Sequence, residues 1–174
     1  MRILIGTPIH ISKDYCMERW LENVSKMEYP ADLFLVDNSP DLTYTEKVKG
    51  YLKKHGITSY KINHLEIPQT ERVNQGLDEE IHEKVTRCRE IIRKELLSKN
   101  YDAWFSWECD QIIPLNALDK LVQLMEAEDL IMVDHNGWVS DKPDQTNFDF
   151  DVTLIKRAVL KKYSFIPRFG AGPD

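Results

Sequence analysis

The sequence predicts an α/β fold, with one domain in which a mixed, mainly parallel sheet is covered by helices on both faces. Two observations lead to this prediction. Short apolar runs alternate along the chain with longer segments whose apolar residues recur at helical spacing, an order typical of strand–helix–strand units. The length of 174 residues suits one domain and is short for two, so we expect residues 1–174 to form a single unit.

Six runs are predicted as strands. The first, second, fourth and fifth are short and almost continuously apolar, as expected of strands that are buried on both faces. The third and sixth alternate between apolar and polar residues, which is typical of strands with one exposed face, and the sixth is the candidate for an antiparallel return strand. The predicted strands lie near 2–6, 33–37, 59–65, 103–109, 129–134 and 148–155.

Helices are predicted between these strands from apolar residues spaced three and four apart. Ser12 is expected to cap the first helix, Gly56 to end the second, and Asn116 to cap the helix after the fourth strand. The longest helix is predicted near 79–98. Its apolar stripe consists of Ile81, Val85, Cys88, Ile92 and Leu96.

Polar stretches rich in turn-forming residues interrupt this pattern. Residues 68–78 are predicted as a loop, and residues 137–147 as a flexible excursion that could close over the sheet edge as a lid. Residues 165–174 are expected to form an irregular tail.

Composition restricts the classes of partner. The formal net charge is −6, so the chain has no overall attraction for nucleic acid or an anionic membrane, and an anionic substrate would need a local cation or a metal. No stretch approaches the roughly 20 apolar residues of a membrane span, so any membrane contact would be peripheral. Cys16, Cys88 and Cys109 predict neither a disulfide framework nor a zinc site, and we expect a cytoplasmic protein.

The fourth predicted strand ends in two carboxylates, Glu108 and Asp110. Pro114 prevents the strand from continuing, and strand alternation would place both acids on one side. The C-terminal edge of such a sheet is where ligands bind, and one or two carboxylates with substrate phosphates are the usual ligands of Mg²⁺ or Mn²⁺. We interpret the pair as a candidate metal–phosphate site, with a solvated strand end as the alternative.

Other polar residues are weaker candidates. Arg89 borders the apolar stripe of the longest helix and Arg87 lies further round, so either could face the acidic segment, although solvated side chains would explain both. Asp134 and His135 follow the fifth strand and could bind metal or substrate. For this pair, a role confined to the loop is the favoured interpretation.

Four motifs occur in a fixed order along the chain: Ile-Gly-Thr-Pro8, Val-Asp-Asn-Ser39, Val-Thr-Arg-Cys-Arg-Glu90 and Trp-Glu-Cys-Asp110. Together they resemble glycosyltransferases of the Rossmann-like GT-A fold, especially the family-2-like and Anp1-like groups. The resemblance covers nearly the whole chain. It implies a metal-dependent glycosyltransferase that uses a nucleotide-diphospho-sugar donor and an acceptor that is a glycan, a lipid or a protein.

The resemblance also implies roles for individual residues. Asp110 matches the last acid of the D-x-D motif, which reaches the Mn²⁺ or Mg²⁺ bridging the donor phosphates. Glu108 stands where the first Asp is usual and would face the ribose or the metal. The residues assigned to the nucleotide-sugar are Thr7, Pro8, Asp37 and Asn38 near the nucleoside, Arg87 or Arg89 near the diphosphate, and Glu108.

The end of the sequence supplies a candidate base. A carboxylate on the far side of the sugar could take the proton of the acceptor hydroxyl and give inversion. Two glycines and a proline could bring Asp174 to that position, although a frayed terminus is the alternative. Family members continue past such a motif, so we expect the acceptor part to be minimal or truncated near 174.

Two other functions are compatible with the sequence. A GT-A-like domain that binds a nucleotide or sugar without turnover would accommodate Glu108 and the short C-terminus. A sugar-1-phosphate nucleotidyltransferase is disfavoured, because Lys13 and Asp14 do not make the glycine-rich basic loop that a triphosphate requires. Walker, G-x-G-x-x-G and Ser-His-Asp patterns are absent from the sequence.

Overall fold

A computed structural model of the chain describes residues 1–66, 77–134 and 151–166. Several predictions lie outside the described residues: most of the loop at 68–78, the lid at 137–147, most of the tail, His135 and Asp174, together with the side chain of Ile81.

In the described parts of the chain, six strands form one mixed sheet, which confirms the predicted fold class. They are β1 (Ile3–Ile9), β2 (Ala31–Asp37), β3 (Tyr60–His64), β4 (Ala103–Trp107), β5 (Met132–Asp134) and β6 (Val152–Lys156). Their order across the sheet is β3-β2-β1-β4-β6-β5. Pairing is parallel from β3 through β4, whereas β6 runs antiparallel to both β4 and β5. The return strand is therefore antiparallel, as predicted.

Among the residues that the structure describes, five helices cover this sheet: α1 (Asp14–Ser25), α2 (Thr43–Lys54), α3 (Leu77–Ser98), α4 (Ala117–Ala127) and α5 (Arg157–Lys162). A 3-10 turn, Ile11–Lys13, precedes α1. Helix α3 begins inside the stretch predicted as a loop, because the acidic residues 78–80 favour the positive end of the helix dipole. Within the described ranges, no helix has the length and apolar character needed to cross a membrane.

The helix ends agree only partly with the predictions. Gly56 follows α2 with a φ of 68°, the left-handed conformation that ends many helices. Ser12 does not cap α1. The side chain of His10 instead accepts the backbone N–H of Ser12 at 3.1 Å, which caps the 3-10 turn and delays the helix. Asn116 occupies the cap position of α4, but its side chain makes no capping hydrogen bond.

Apolar side chains on the two faces of the sheet form separate layers. Phe105 and Trp107 pack with buried residues of α1, α2 and α4. Trp104 points to the other face and packs with buried residues of α3 and α5. The alternation predicted along β4 is thus confirmed as far as Trp107.

Gly6 lies where α3 crosses the centre of the sheet. A Cβ at this position would be 2.3 Å from Ile92 Cγ2 and 2.6 Å from Trp104 Nε1. Trp104 Nε1 donates a hydrogen bond of 2.9 Å to the carbonyl oxygen of Gly6. The absence of a side chain on Gly6 therefore lets α3 and the Trp104 indole approach β1.

We expect Gly6→Ala to lower the free energy of unfolding by about 1–3 kcal/mol, because the added methyl group overpacks this contact. Gly50→Ala is the matched control: apart from its neighbours and backbone in α2, no atom of the described residues lies within 4 Å of its Cβ position, and alanine should stabilise the helix by up to about 1 kcal/mol. Urea unfolding measures both. Equal stability of the two variants would contradict the prediction.

Candidate functional site

The C-terminal ends of three parallel strands meet at one edge of the sheet. The register pairs Ile9 of β1 with Asp37 of β2, and Asp37 with His64 of β3. Ligands of open α/β sheets bind outside this edge. The polar residues that follow these strands are therefore in position to line a ligand site.

The acidic segment 108–110 reaches the same edge through β4. The ladder between β1 and β4 ends at Gly6 and Ser106, and the Thr7 hydroxyl then donates a hydrogen bond of 2.8 Å to the carbonyl oxygen of Trp107. This bond joins the two strands one residue beyond their last register pair. The residues that follow Trp107 consequently lie beside the end of β1.

Thr7 and Pro8 lie within β1, which extends three residues beyond the predicted strand end near residue 6. Strand β1 continues to Ile9 because its pairing with β2 extends through Leu35 and Val36. Thr7 is fully buried, and Pro8 is partly exposed. The predicted contacts of these two residues with a nucleoside remain predictions.

Asp37 organises the loop that follows β2. Its side chain is fully buried and accepts hydrogen bonds from the Ser39 backbone N–H at 2.9 Å and from the Thr45 hydroxyl at 2.6 Å. His64 Nδ1 lies 3.5 Å from Asp37 Oδ2. Asn38 is 8% exposed. The sequence placed Asp37 and Asn38 at the correct edge, but it did not reveal that Asp37 holds α2 and the loop together.

Arg89 on α3 meets the acidic segment. Its Nη2 lies 3.3 Å from Glu108 Oε1, and the side chains of Arg89 and Glu108 are 19% and 34% exposed. Arg87 instead pairs with Glu83 at 2.5 Å on the solvent-facing side of the helix. The structure therefore brings Arg89 to the acidic segment, whereas Arg87 pairs with an acid of its own helix.

Asp110 pairs with Lys13, which belongs to the 3-10 turn after β1. The predicted strand is two residues too long, since β4 ends at Trp107 and a turn carries Asp110. Strand alternation consequently does not apply to Asp110, and the two acids meet different cations. The sequence analysis did not predict that Lys13 lies beside the acidic segment. Its position shortly after the first strand, at the C-terminal edge of the sheet, could have indicated this.

The charges at this edge affect one another. Burial lowers the pKa of Lys13, but the hydrogen bond and charge of Asp110, together with the charge of Glu108, outweigh burial and raise that pKa. Burial raises the pKa of the Cys109 thiol well above its usual range. Cys109, which lies between Glu108 and Asp110 in the sequence, is therefore a neutral thiol near neutral pH. A neutral thiol does not act as a thiolate nucleophile.

Asp134 has a local structural partner. It pairs with Thr153 in the β5–β6 ladder and accepts a hydrogen bond of 3.0 Å from the Thr153 hydroxyl. This local contact is compatible with the favoured interpretation, in which Asp134 has a structural role and binds neither metal nor substrate.

The acidic segment can contribute oxygen ligands to a divalent cation. Within the described ranges, no cluster of three or more His, Cys, Asp or Glu side chains could hold a metal by itself. Glu108 and Asp110 are nevertheless partly exposed carboxylates, and one or two carboxylates completed by phosphate oxygens and water are a normal ligand set for Mg²⁺. The residues present fit a cation that is shared with a phosphate-bearing ligand.

No protein-family model and no curated protein sequence matches the chain. Solved structures do match it. TarS 1–349 of S. aureus in complex with UDP matches with a TM-score of 0.60 and 13% identity over 93% of this chain and 48% of that protein. The mannosyltransferase PcManGT of Pyrobaculum calidifontis, in complex with GDP-Man and Mn²⁺, matches with a TM-score of 0.62 and 17% identity over 92% of this chain and 46% of that one. The chain has the GT-A fold.

The GT-A fold predicted from the four motifs is therefore confirmed. Of the two structural neighbours, PcManGT is described as a mannosyltransferase, and TarS is described with bound UDP. The chain spans about half the length of these neighbours.

In this GT-A domain, Thr45→Val should lower the free energy of unfolding by about 1.5–3 kcal/mol, because the buried Asp37 carboxylate would lose one of its two donors. Thr43→Val, at the exposed first residue of the same helix, is the control and should change stability by no more than about 0.5 kcal/mol. Guanidinium unfolding compares the variants, and equal losses at both positions would show that the Asp37 contact is not important.

Proposed function

We propose that this domain is a metal-dependent glycosyltransferase that moves a sugar from a nucleotide-diphospho-sugar to an acceptor hydroxyl with inversion. The observation that carries the proposal is the meeting of Arg89 with the acidic segment 108–110 at the C-terminal edge of a GT-A sheet. The cation is suited to bind a diphosphate, and the two carboxylates are suited to bind a divalent ion.

The donor class is supported by the structural neighbours. TarS is in complex with UDP, and PcManGT is in complex with GDP-Man and Mn²⁺. A nucleoside diphosphate is common to both ligands. We propose that this chain binds the same class of ligand, with the nucleoside beside Pro8 and the loop that Asp37 organises.

Arg89 would contribute positive charge where the donor breaks. Cleavage of the bond between sugar and phosphate leaves a diphosphate with developing negative charge, and a fixed cation nearby stabilises that charge as it forms. Asp110 and Glu108 would hold the metal, which when bound supplies further positive charge to the diphosphate. The side chain of Arg89 is only 19% exposed, so its interaction with a phosphate would be weakly screened by water.

A binding domain without turnover is the second candidate. Each acid at the edge already has a cationic partner, and Glu108 replaces the usual first Asp. Donor hydrolysis measured with and without added acceptors separates this candidate from a transferase. Release of pyrophosphate from a nucleoside triphosphate would instead identify a nucleotidyltransferase.

We expect wild-type protein to be stabilised by at least one of UDP-, GDP-, CMP- or dTDP-sugars with Mn²⁺. A ligand at 100 times its dissociation constant should add about 2.7 kcal/mol, which a thermal-shift assay detects. Asp110→Asn should abolish the Mn²⁺-dependent part of this shift, because a neutral amide is a poorer ligand for a hard cation, and Glu108→Gln should reduce it less.

Asp129→Asn is the control for this series. Asp129 is 98% exposed and pairs with Lys156 on the opposite side of the domain from Lys13, so its substitution should leave the shift unchanged. A Mn²⁺-dependent shift that survives in Asp110→Asn would show that Asp110 does not hold the metal.

Asp174 is proposed as the base that accepts the proton of the acceptor hydroxyl. Asp174→Asn should retain donor binding and lose transfer by about 10²–10⁴-fold, the usual contribution of a positioned general base. Donor affinity by calorimetry and product formation by chromatography measure the two effects separately. Full transfer activity in Asp174→Asn would assign the base to another carboxylate.

A further inference from the structure

We infer that Lys13 competes with the divalent cation for Asp110 and makes metal binding depend on the nucleoside diphosphate. This inference rests on the proposed function, since it concerns the same metal and donor. When no metal is bound, the Lys13 ammonium group occupies the Asp110 carboxylate. When metal and donor bind together, the ammonium group leaves Asp110 for the diphosphate.

The backbone around Lys13 is held independently of the ion pair. The Lys13 N–H donates to the His10 carbonyl oxygen at 2.9 Å, and Cys16 Sγ donates to the Lys13 carbonyl oxygen at 3.0 Å. The Ile11 N–H, in the same turn, donates to the Ser39 hydroxyl at 2.9 Å. The position of the turn is therefore fixed by its neighbours, while the four-carbon side chain of Lys13 can move its ammonium group.

The charges of the two ion pairs, Lys13 with Asp110 and Arg89 with Glu108, sum to zero. Lys13 neutralises Asp110, and Arg89 neutralises Glu108. A divalent cation alone would add two positive charges to this balanced cluster and would have to displace the Lys13 ammonium from its carboxylate. A nucleoside diphosphate that arrives with the metal supplies new negative charge for both the metal and the displaced ammonium, so the two ligands should favour each other's binding.

Exposure distinguishes this pair from an ordinary surface salt bridge. The Lys13 and Asp110 side chains are 38% and 26% exposed, whereas those of Lys54 and Glu18 on the helical surface are 66% and 40% exposed. Lys13 also lies within the field of a second acid, Glu108. The Lys54 pair joins the last residue of α2 to Glu18 of α1 and supplies a matched control.

The test measures Mn²⁺ binding and nucleotide binding separately in Lys13→Met. Without nucleotide, free Mn²⁺ followed by electron paramagnetic resonance should show at least about tenfold tighter binding than in wild type, since the competitor is gone. At saturating Mn²⁺, calorimetry should show at least about tenfold weaker binding of UDP or GDP, since the ammonium group no longer reaches the diphosphate. A purely structural role of Lys13 would weaken both.

Control variants define the remaining outcomes. Lys54→Met should leave both affinities unchanged, and Lys13→Arg, which keeps the charge, should stay closer to wild type than Lys13→Met in both measurements. Asp110→Asn in the Lys13→Met background should remove the gain in Mn²⁺ affinity, which identifies Asp110 as the contested carboxylate.

The inference is overturned if Lys13→Met binds Mn²⁺ no more tightly than wild type, or if the gain persists without the Asp110 carboxylate. It is likewise overturned if the folded variants bind no Mn²⁺ at all. Failure of the proposed function has a different signature: wild type would bind neither UDP nor GDP nor any nucleotide-sugar, while the gain in Mn²⁺ affinity on removal of Lys13 would still be observed.

Discussion

The hydrogen bond from the Thr7 hydroxyl to the Trp107 carbonyl oxygen is the contact on which the arrangement of the site depends. It is buried, and it joins β1 to β4 at the point where their parallel ladder stops. Beyond it, β1 leads into the turn that carries Lys13, and β4 leads into the acidic segment. Without a hydrogen bond at this level, the segments that follow β1 and β4 could diverge. The distance between Lys13 and the acidic segment would then not be fixed. Breaking such a buried bond leaves an unsatisfied carbonyl group, which is costly enough to keep the ends together.

The C-terminal edge of the sheet carries local positive charge in a protein whose overall charge is negative. A chain with a net charge of −6 needs local cations if it is to hold an anionic ligand. Those cations come from both sides of the sheet, Lys13 from the turn after β1 and Arg89 from α3 on the opposite layer. Each cation is paired with an acid, so the two ion pairs balance each other's charge. The GT-A fold thereby concentrates opposite charges at one site of an acidic protein.

Much of the fold could be predicted because burial leaves a periodic pattern in the sequence. The positions of the strands and the antiparallel return strand follow from that pattern, whereas the order of the strands across the sheet was not predicted. The contacts at the edge could not be predicted in the same way. The pairing of Lys13 with Asp110 spans 97 residues and depends on sheet register, which no local pattern specifies. His10 likewise displaced Ser12 as a cap because its imidazole reaches a backbone N–H, a geometric detail that residue preferences do not contain.

The resemblance noted in the sequence aligns Glu108 with the position where an Asp is usual, and the length of the Glu108 side chain has a physical explanation in this arrangement. Arg89 approaches from α3, on the face of the sheet opposite to α1, and its contact with Glu108 is 3.3 Å. Glutamate carries one more methylene than aspartate, so its carboxylate can reach toward the helix while its backbone stays at the end of β4. Asp110, on the turn that follows, faces Lys13 instead. The two acids thus have separate cationic partners, and the longer side chain at position 108 lets one acid contact the arginine while its backbone stays at the end of β4.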